Sequence, residues 1–189
     1  MKLPDDAPVK IIDPFVNFDP SGEGFDVPMP REALRDRESL EAWPSMDITG
    51  HLFKKDAAKE ERMAIVGDMD KWLQNLDEWK ISRAQVMLVS TEANEVFDRF
   101  ADLGDRIFIS IRVDPHDGMD AVRRIDELAR KYPSIRSVSM SPMMTHPLAA
   151  PNSKEYYPIY AKCCEADLSA FINVGFPGPR VPAWAQDPI

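Results

Sequence analysis

The sequence predicts an α/β fold of the (β/α)8 barrel type, incomplete, with about five β/α units. Three observations predict it. Short apolar runs rich in β-branched residues alternate along the chain with amphipathic runs at helical spacing. The connectors between them are short, so consecutive strands run parallel and are covered by helices. No strand-like run is followed by a GxGxxG or GxxxxGK[ST] loop, which removes the usual reason to prefer a nucleotide-binding open sheet. A closed barrel needs eight strands and about 250 residues, whereas 189 residues supply five.

The first strand is read in "VKIIDPFV", bounded by prolines. Residues 18–58 follow as an irregular stretch rich in proline and charge, with a short helix around 31–41. A connection of that length in a compact domain reads as a lid or an interaction arm. In "EERMAIVGDMDKWLQNLDEW", helical spacing brings Met63, Val66, Met69, Trp72, Leu73 and Leu76 to one face. "ISRAQVMLVS" is the second strand. "EANEVFDRFADLG" is a helix with Val96, Phe97, Phe100 and Leu103 inward and Gly104 as its stop.

"RIFISIRVDP" is the third strand, and "GMDAVRRIDELARKY" a helix expected to bury Met119, Val122, Ile125 and Leu128. "IRSVSMSP" is the fourth strand. "YPIYAKCCEAD" is a helix with Pro158 in its first turn, where a missing N–H costs little. "LSAFINVGFPGP" is the fifth strand, running into a proline-rich loop. The whole chain, 1–189, is expected to be one barrel domain, with the arm at 18–58 and the last strands of the barrel absent.

Bulk properties narrow the function. A net charge of −9 argues against nucleic acid, whose phosphates need surplus Lys and Arg, and against an anionic membrane surface. No apolar run approaches the roughly 18 residues of a membrane span, and the opening "MKLPDDAP" lacks the apolar core of a secretory signal. Cys163 and Cys164 are the only cysteines. Adjacent thiols rarely bridge, and two do not make a zinc set. A reduced, cytoplasmic setting is expected, with both thiols more at home in a core than as nucleophiles.

In parallel α/β folds the working residues sit where strands end. That rule selects Asp13 and Asn17, Ser90, Arg112 and Asp114, Ser141 and Met143, and Asn173 and Arg180. Asp114 precedes Pro115 and is also a natural capping residue. Arg180 offers a planar fork for a carboxylate. Asn173 lies in an apolar strand, where a buried amide needs a partner, functional or structural. His51, His116 and His146 stand in no metal-ligand spacing, and no serine occupies a GxSxG elbow.

The stretches "IIDPFVNF", "FISIRVDPHDGMDAVRRI", "IRSVSMSPMM" and "YYPIYAKCCEADLSAFINVGFPGPR" thread through residues 9–182. In them the chain resembles the amidohydrolase-related proteins, the branch that includes aminocarboxymuconate-semialdehyde decarboxylase. The last stretch, with "YPIYAKC" and "GPR", is the most specific. The resemblance implies a distorted (β/α)8 barrel holding a divalent metal, often zinc. It also implies hydrolysis, or non-oxidative decarboxylation, of a small organic acid or thioester.

Carried over residue by residue, the likeness departs from the family at the metal. Where the family's opening strand reads D-x-H-x-H, Asp13 fits, but Phe15 and Asn17 replace both histidines. The fifth-strand histidine falls at Asn173, and the sixth-strand histidine and last-strand aspartate would lie beyond Ile189. A phenyl ring offers no lone pair, and amides hold zinc far more weakly than imidazole. No cofactor is therefore expected. The resemblance then leaves Asp13, Asp114 and Asn173 as candidate catalytic residues, with Asn17, Arg112, Ser141, His146 and Arg180 as candidate substrate-binding residues. The expected partners are a small-molecule substrate and either further copies of this chain or a partner chain that completes the barrel. The competing reading is a non-catalytic half-barrel that works by association.

Overall fold

The computed structural model describes residues 11–17, 37, 68–88 and 94–174. The expected arm at 18–58 and the first turns of the helix read from residue 59 onward lie outside the described residues, Arg37 apart. So do Ser90, His51 and Arg180.

The described residues form five strands: β1 (Ile11–Asn17), β2 (Ile81–Leu88), β3 (Ile107–Arg112), β4 (Ile135–Met140) and β5 (Ser169–Ile172). Helices α1 (Met69–Glu78), α2 (Asn94–Ala101), α3 (Met119–Lys131) and α4 (Tyr157–Glu165) fall between them. The strands make one sheet in the order β1-β2-β3-β4-β5, every pair parallel, curled into a half-barrel. Sequential order carries a consequence. Each crossover advances the same way and with the same hand, so α1 to α4 all land on one face of the sheet. A doubly wound sheet reverses direction and covers both faces. The other face here is left as the concave interior of a barrel-type sheet.

Each helix forms for local reasons. Asp68 caps α1, its carboxylate accepting the Lys71 backbone N–H at 3.1 Å, and Met69, Trp72 and Leu76 are buried along one stripe. Beyond α2, Gly104 takes φ +59, a left-handed conformation that costs glycine little. Pro158 occupies the first turn of α4. In α3 the buried positions are Ala121, Ile125 and Leu128, which corrects the expected stripe, because Met119 is 56% exposed. A series spaced by three residues drifts about 60° per step. Met119 and Leu128 therefore stand on opposite sides of the helix.

The core lies between the helices and the outer face of the sheet. Ala84, Val86 and Leu88 of β2 meet Ile107, Ile109 and Ile111 of β3 and Val138 and Met140 of β4. Trp72 and Phe100 meet edge to face at 6.2 Å. Phe97 stacks on Tyr132 at 5.1 Å, whose hydroxyl donates to Asp98 at 2.9 Å.

β1 falls where "VKIIDPFV" was read, and its irregularity is at Pro14. Asp13 was expected at the strand's end, yet pairing continues past Pro14 to Asn17. Pro14 has no N–H to give the ladder, and the register slips between Asp13 and Val16 before pairing resumes. Gln85 fills part of the gap, its side-chain amide donating to the Pro14 carbonyl at 3.1 Å. Asp13 is thus inside the strand and not beyond it. Among the described residues, no helix is long and apolar enough to cross a membrane.

Candidate functional site at the mouth of the half-barrel

Register assigns the interior face in layers. Met87 pairs with Ser110, Ser110 with Ser137, and Ser137 with Ser169. Two residues further along, Arg112 pairs with Ser139 and Ser139 with Phe171. Asp114, Ser141 and Asn173 come two residues later still, at the carboxyl ends of β3, β4 and β5. Asn173 continues the sheet there, its backbone N–H donating to the Met140 carbonyl at 2.9 Å. The backbone of Asn17 pairs with Met87, at the level of the Ser110 layer. Four expected residues, Arg112, Asp114, Ser141 and Asn173, are therefore brought to one end of the sheet.

Asp13 is not among them. It pairs with Ala84, which pairs with Ile107. Seven residues separate Ile107 from Asp114, about 23 Å at strand rise. One small substrate cannot meet both carboxylates, so Asp13 and Asp114, both expected as catalytic residues, do not share a site.

Arg112 is the charged group at the carboxyl end of the interior face among the described residues; Arg83, lower on the same face, stacks on Phe108 at 5.8 Å. Arg112 is half-buried, and burial pushes its pKa down while the nearby Asp114 pushes it up. An arginine keeps its charge under such a shift. Among the described residues its guanidinium makes no hydrogen bond and no ion pair.

Asp114 takes the capping role that its sequence context allows. It opens the 3-10 turn Pro115–Asp117 and accepts the His116 backbone N–H at 2.9 Å. His116 Nε2 lies 2.6 Å from the Pro147 carbonyl. A carbonyl can only accept, so the ring proton sits on Nε2. That contact ties the loop after β3 to the loop after β4. His146, next to Pro147, is exposed, and Ser141 is half-buried where the 3-10 turn Pro142–Met144 begins.

Several residues of this region escaped the sequence reading. Thr145 is buried and used twice, donating to the Pro142 carbonyl and accepting the Ala149 N–H, each at 2.9 Å. Tyr156 is fully buried, stacked on Tyr160 at 5.8 Å, with a hydroxyl that has no partner among the described residues. Burial first, then the charges of Tyr160 and Asp114, raise its pKa well above the usual phenol value. Ser110, Ser137 and Ser139 are also buried. For Ser137 and Ser139 the signal was the alternation in "RSVSMSP", which sets serines at every second position of one face; Ser110 had none.

The cysteines follow the core expectation in half. Cys163 is buried and its thiol pushed up to about 11 by burial, while Cys164 is exposed.

A zinc of the kind the resemblance implies does not fit the donors. Its positions carry a phenyl ring and two neutral amides, at Phe15, Asn17 and Asn173, a set without the imidazoles that zinc favours. Among the described residues no group of three His, Cys, Asp or Glu side chains converges.

No family model matches the chain, and no curated protein or solved structure matches it.

Proposed function

We propose that this chain is a small-acid-binding α/β protein of amidohydrolase-like type. In this reading it acts as a hydrolase or non-oxidative carboxy-lyase on a small organic acid or thioester, without a resident zinc. One observation carries the proposal: Arg112 presents a half-buried, charged guanidinium on the concave face that makes no hydrogen bond or salt bridge among the described residues, with only the charge of nearby Asp114 beside it. A desolvated charge left alone is costly. An anionic ligand removes that cost, and the planar fork suits a carboxylate.

Around it, Asp114 would move a proton, since His116 N–H engages only one of its oxygens. Asn173 would hold the reacting carbonyl or carboxylate by its amide, with Asn17, Ser141, His146 and Arg180 completing the binding surface. The test is turnover of a panel of small carboxylic acids and acyl thioesters, followed as carbon dioxide or thiol released. Asn173→Ala should cut the rate about 10–100-fold, the usual loss for one stabilising donor being near the upper figure, with circular dichroism unchanged. A panel that shows neither binding nor turnover would end the reading.

A second reading has its own observation. Among the described residues β1 and β5 each pair with one neighbour only, and Ser169 and Ala170 of β5 are exposed, as is Ile12 of β1. Unpaired strand edges are templates for another strand. On this view a second chain, of the same or another sequence, completes the barrel, and the chain works by association. Light scattering of the pure full chain should then give a mass above the 21.4 kDa of one copy. A stable monomer with slow amide exchange in β5 would rule the association out.

A further inference from the structure

Two side chains beneath Arg112 are unlike the rest of the interior. Ser110 and Ser137 stand opposite each other in register, each about 1% exposed, and among the described residues neither hydroxyl has a hydrogen-bond partner. Their neighbours are satisfied. Ser139 donates to the Ile111 carbonyl at 3.4 Å, and Thr145 is engaged on both sides.

A buried hydroxyl without a partner destabilises the fold. Two side by side call for a reason. The interior layers of parallel barrels are ordinarily filled by bulky branched side chains, and serine gives up that packing in exchange for a donor. The next layer up places Arg112 and Ser139 in register, about 7 Å further along the strands, within reach of an extended arginine side chain. Met87 flanks Ser110, and Phe171 flanks Ser139, so apolar surface borders the polar pair.

We infer that Ser110 and Ser137, under Arg112, form the subsite for the carboxylate of a small acid with an apolar body. This rests on the reading above, in which Arg112 takes the acid group, and adds which residues complete the recognition. Two neutral O–H donors and one guanidinium fork match the lone-pair sites of a single carboxylate. A dianionic phosphate fits worse. Among the described residues Arg112 is the one arginine beside this serine pair, Arg83 being engaged with Phe108 at the other end of the face, and Asp114 nearby subtracts from its potential. The hydroxyls are held ready at a cost to the empty protein, and the ligand relieves it.

That cost makes the inference testable in two directions at once. Benzoate and inorganic phosphate are titrated calorimetrically into the full chain and into Ser110→Ala, Ser137→Ala and the double variant, with thermal melts run without ligand. Wild type should bind benzoate saturably and more tightly than phosphate. Each single variant should weaken benzoate several-fold and the double variant at least 10-fold. In the same variants the ligand-free Tm should rise, by about 2–4 °C for a chain of this size.

Other outcomes overturn it. Unchanged benzoate affinity in the double variant, with binding still lost in Arg112→Gln, removes the serines and leaves the Arg112 reading standing. A lowered Tm, or a double variant that does not fold, shows that the hydroxyls hold the fold together. Tighter phosphate binding rejects the carboxylate. No benzoate binding by wild type removes both this subsite and the reading beneath it.

Discussion

Phe97→Ala is expected to lower the stability of the chain by about 3–5 kcal/mol, the usual cost of truncating a buried phenylalanine. Phe97 is fully buried in α2 and stacks on Tyr132 at an interplanar angle of 22°. Truncation removes its apolar transfer energy and the ring contact, and leaves a cavity between α2 and the outer face of β3 that rigid strands cannot close. A domain of this kind has only about 5–15 kcal/mol in total. One substitution would therefore consume a large share. Urea denaturation should show a lower midpoint with an unchanged slope. Met119→Ala in the same assay should move stability by less than about 0.5 kcal/mol, because Met119 points to solvent. Equal losses at both positions would mean that the core does not lie where the burial pattern puts it.

The contrast between those two residues shows what the sequence could and could not reveal. Element order was legible, since β-branched runs such as "RIFISIRV" and helical stripes such as Met69–Trp72–Leu76 follow from backbone geometry alone. The face of α3 was not. Spacing by three satisfies the eye, but only the accumulated rotation decides which residues reach the sheet. The place of Asp13 within β1 was obscured by Pro14, which ends a central strand but is tolerated at an edge, and among the described residues β1 is an edge of this sheet. Strand order is a non-local property and no local pattern encodes it.

At the site, position relative to strand ends found Arg112, Asp114, Ser141 and Asn173. It could not find Ser110 or Ser137, which sit mid-strand, because their interest lies in a bond that is not made. Tyr156 escaped for the same reason. Asp13 was misplaced because its height along the sheet depends on the register of β1 against β2.

Arg112→Gln is expected to abolish recognition of small acids, weakening benzoate at least 100-fold, while leaving the ligand-free fold as stable as before or more so. The two halves follow from one circumstance. A charge-assisted hydrogen bond contributes about 1.5–3 kcal/mol, and a forked pair of them exceeds the roughly 2.7 kcal/mol that a 100-fold change represents. Glutamine keeps much of the length and hydrogen-bonding capacity but has no charge. It also removes a half-buried cation that, among the described residues, makes no hydrogen bond or salt bridge, so the empty protein is relieved of a desolvation cost and gives up only the attraction of nearby Asp114. Arg112→Lys should fall between, holding the charge without the planar fork. Asp114→Asn should shift affinity the opposite way, tightening benzoate by removing a neighbouring negative charge. Were Arg112→Gln instead to destabilise the chain by several kcal/mol with affinity intact, the guanidinium would be a structural ion-pair partner. The acid-binding reading of the half-barrel mouth would then lose the cation on which it rests.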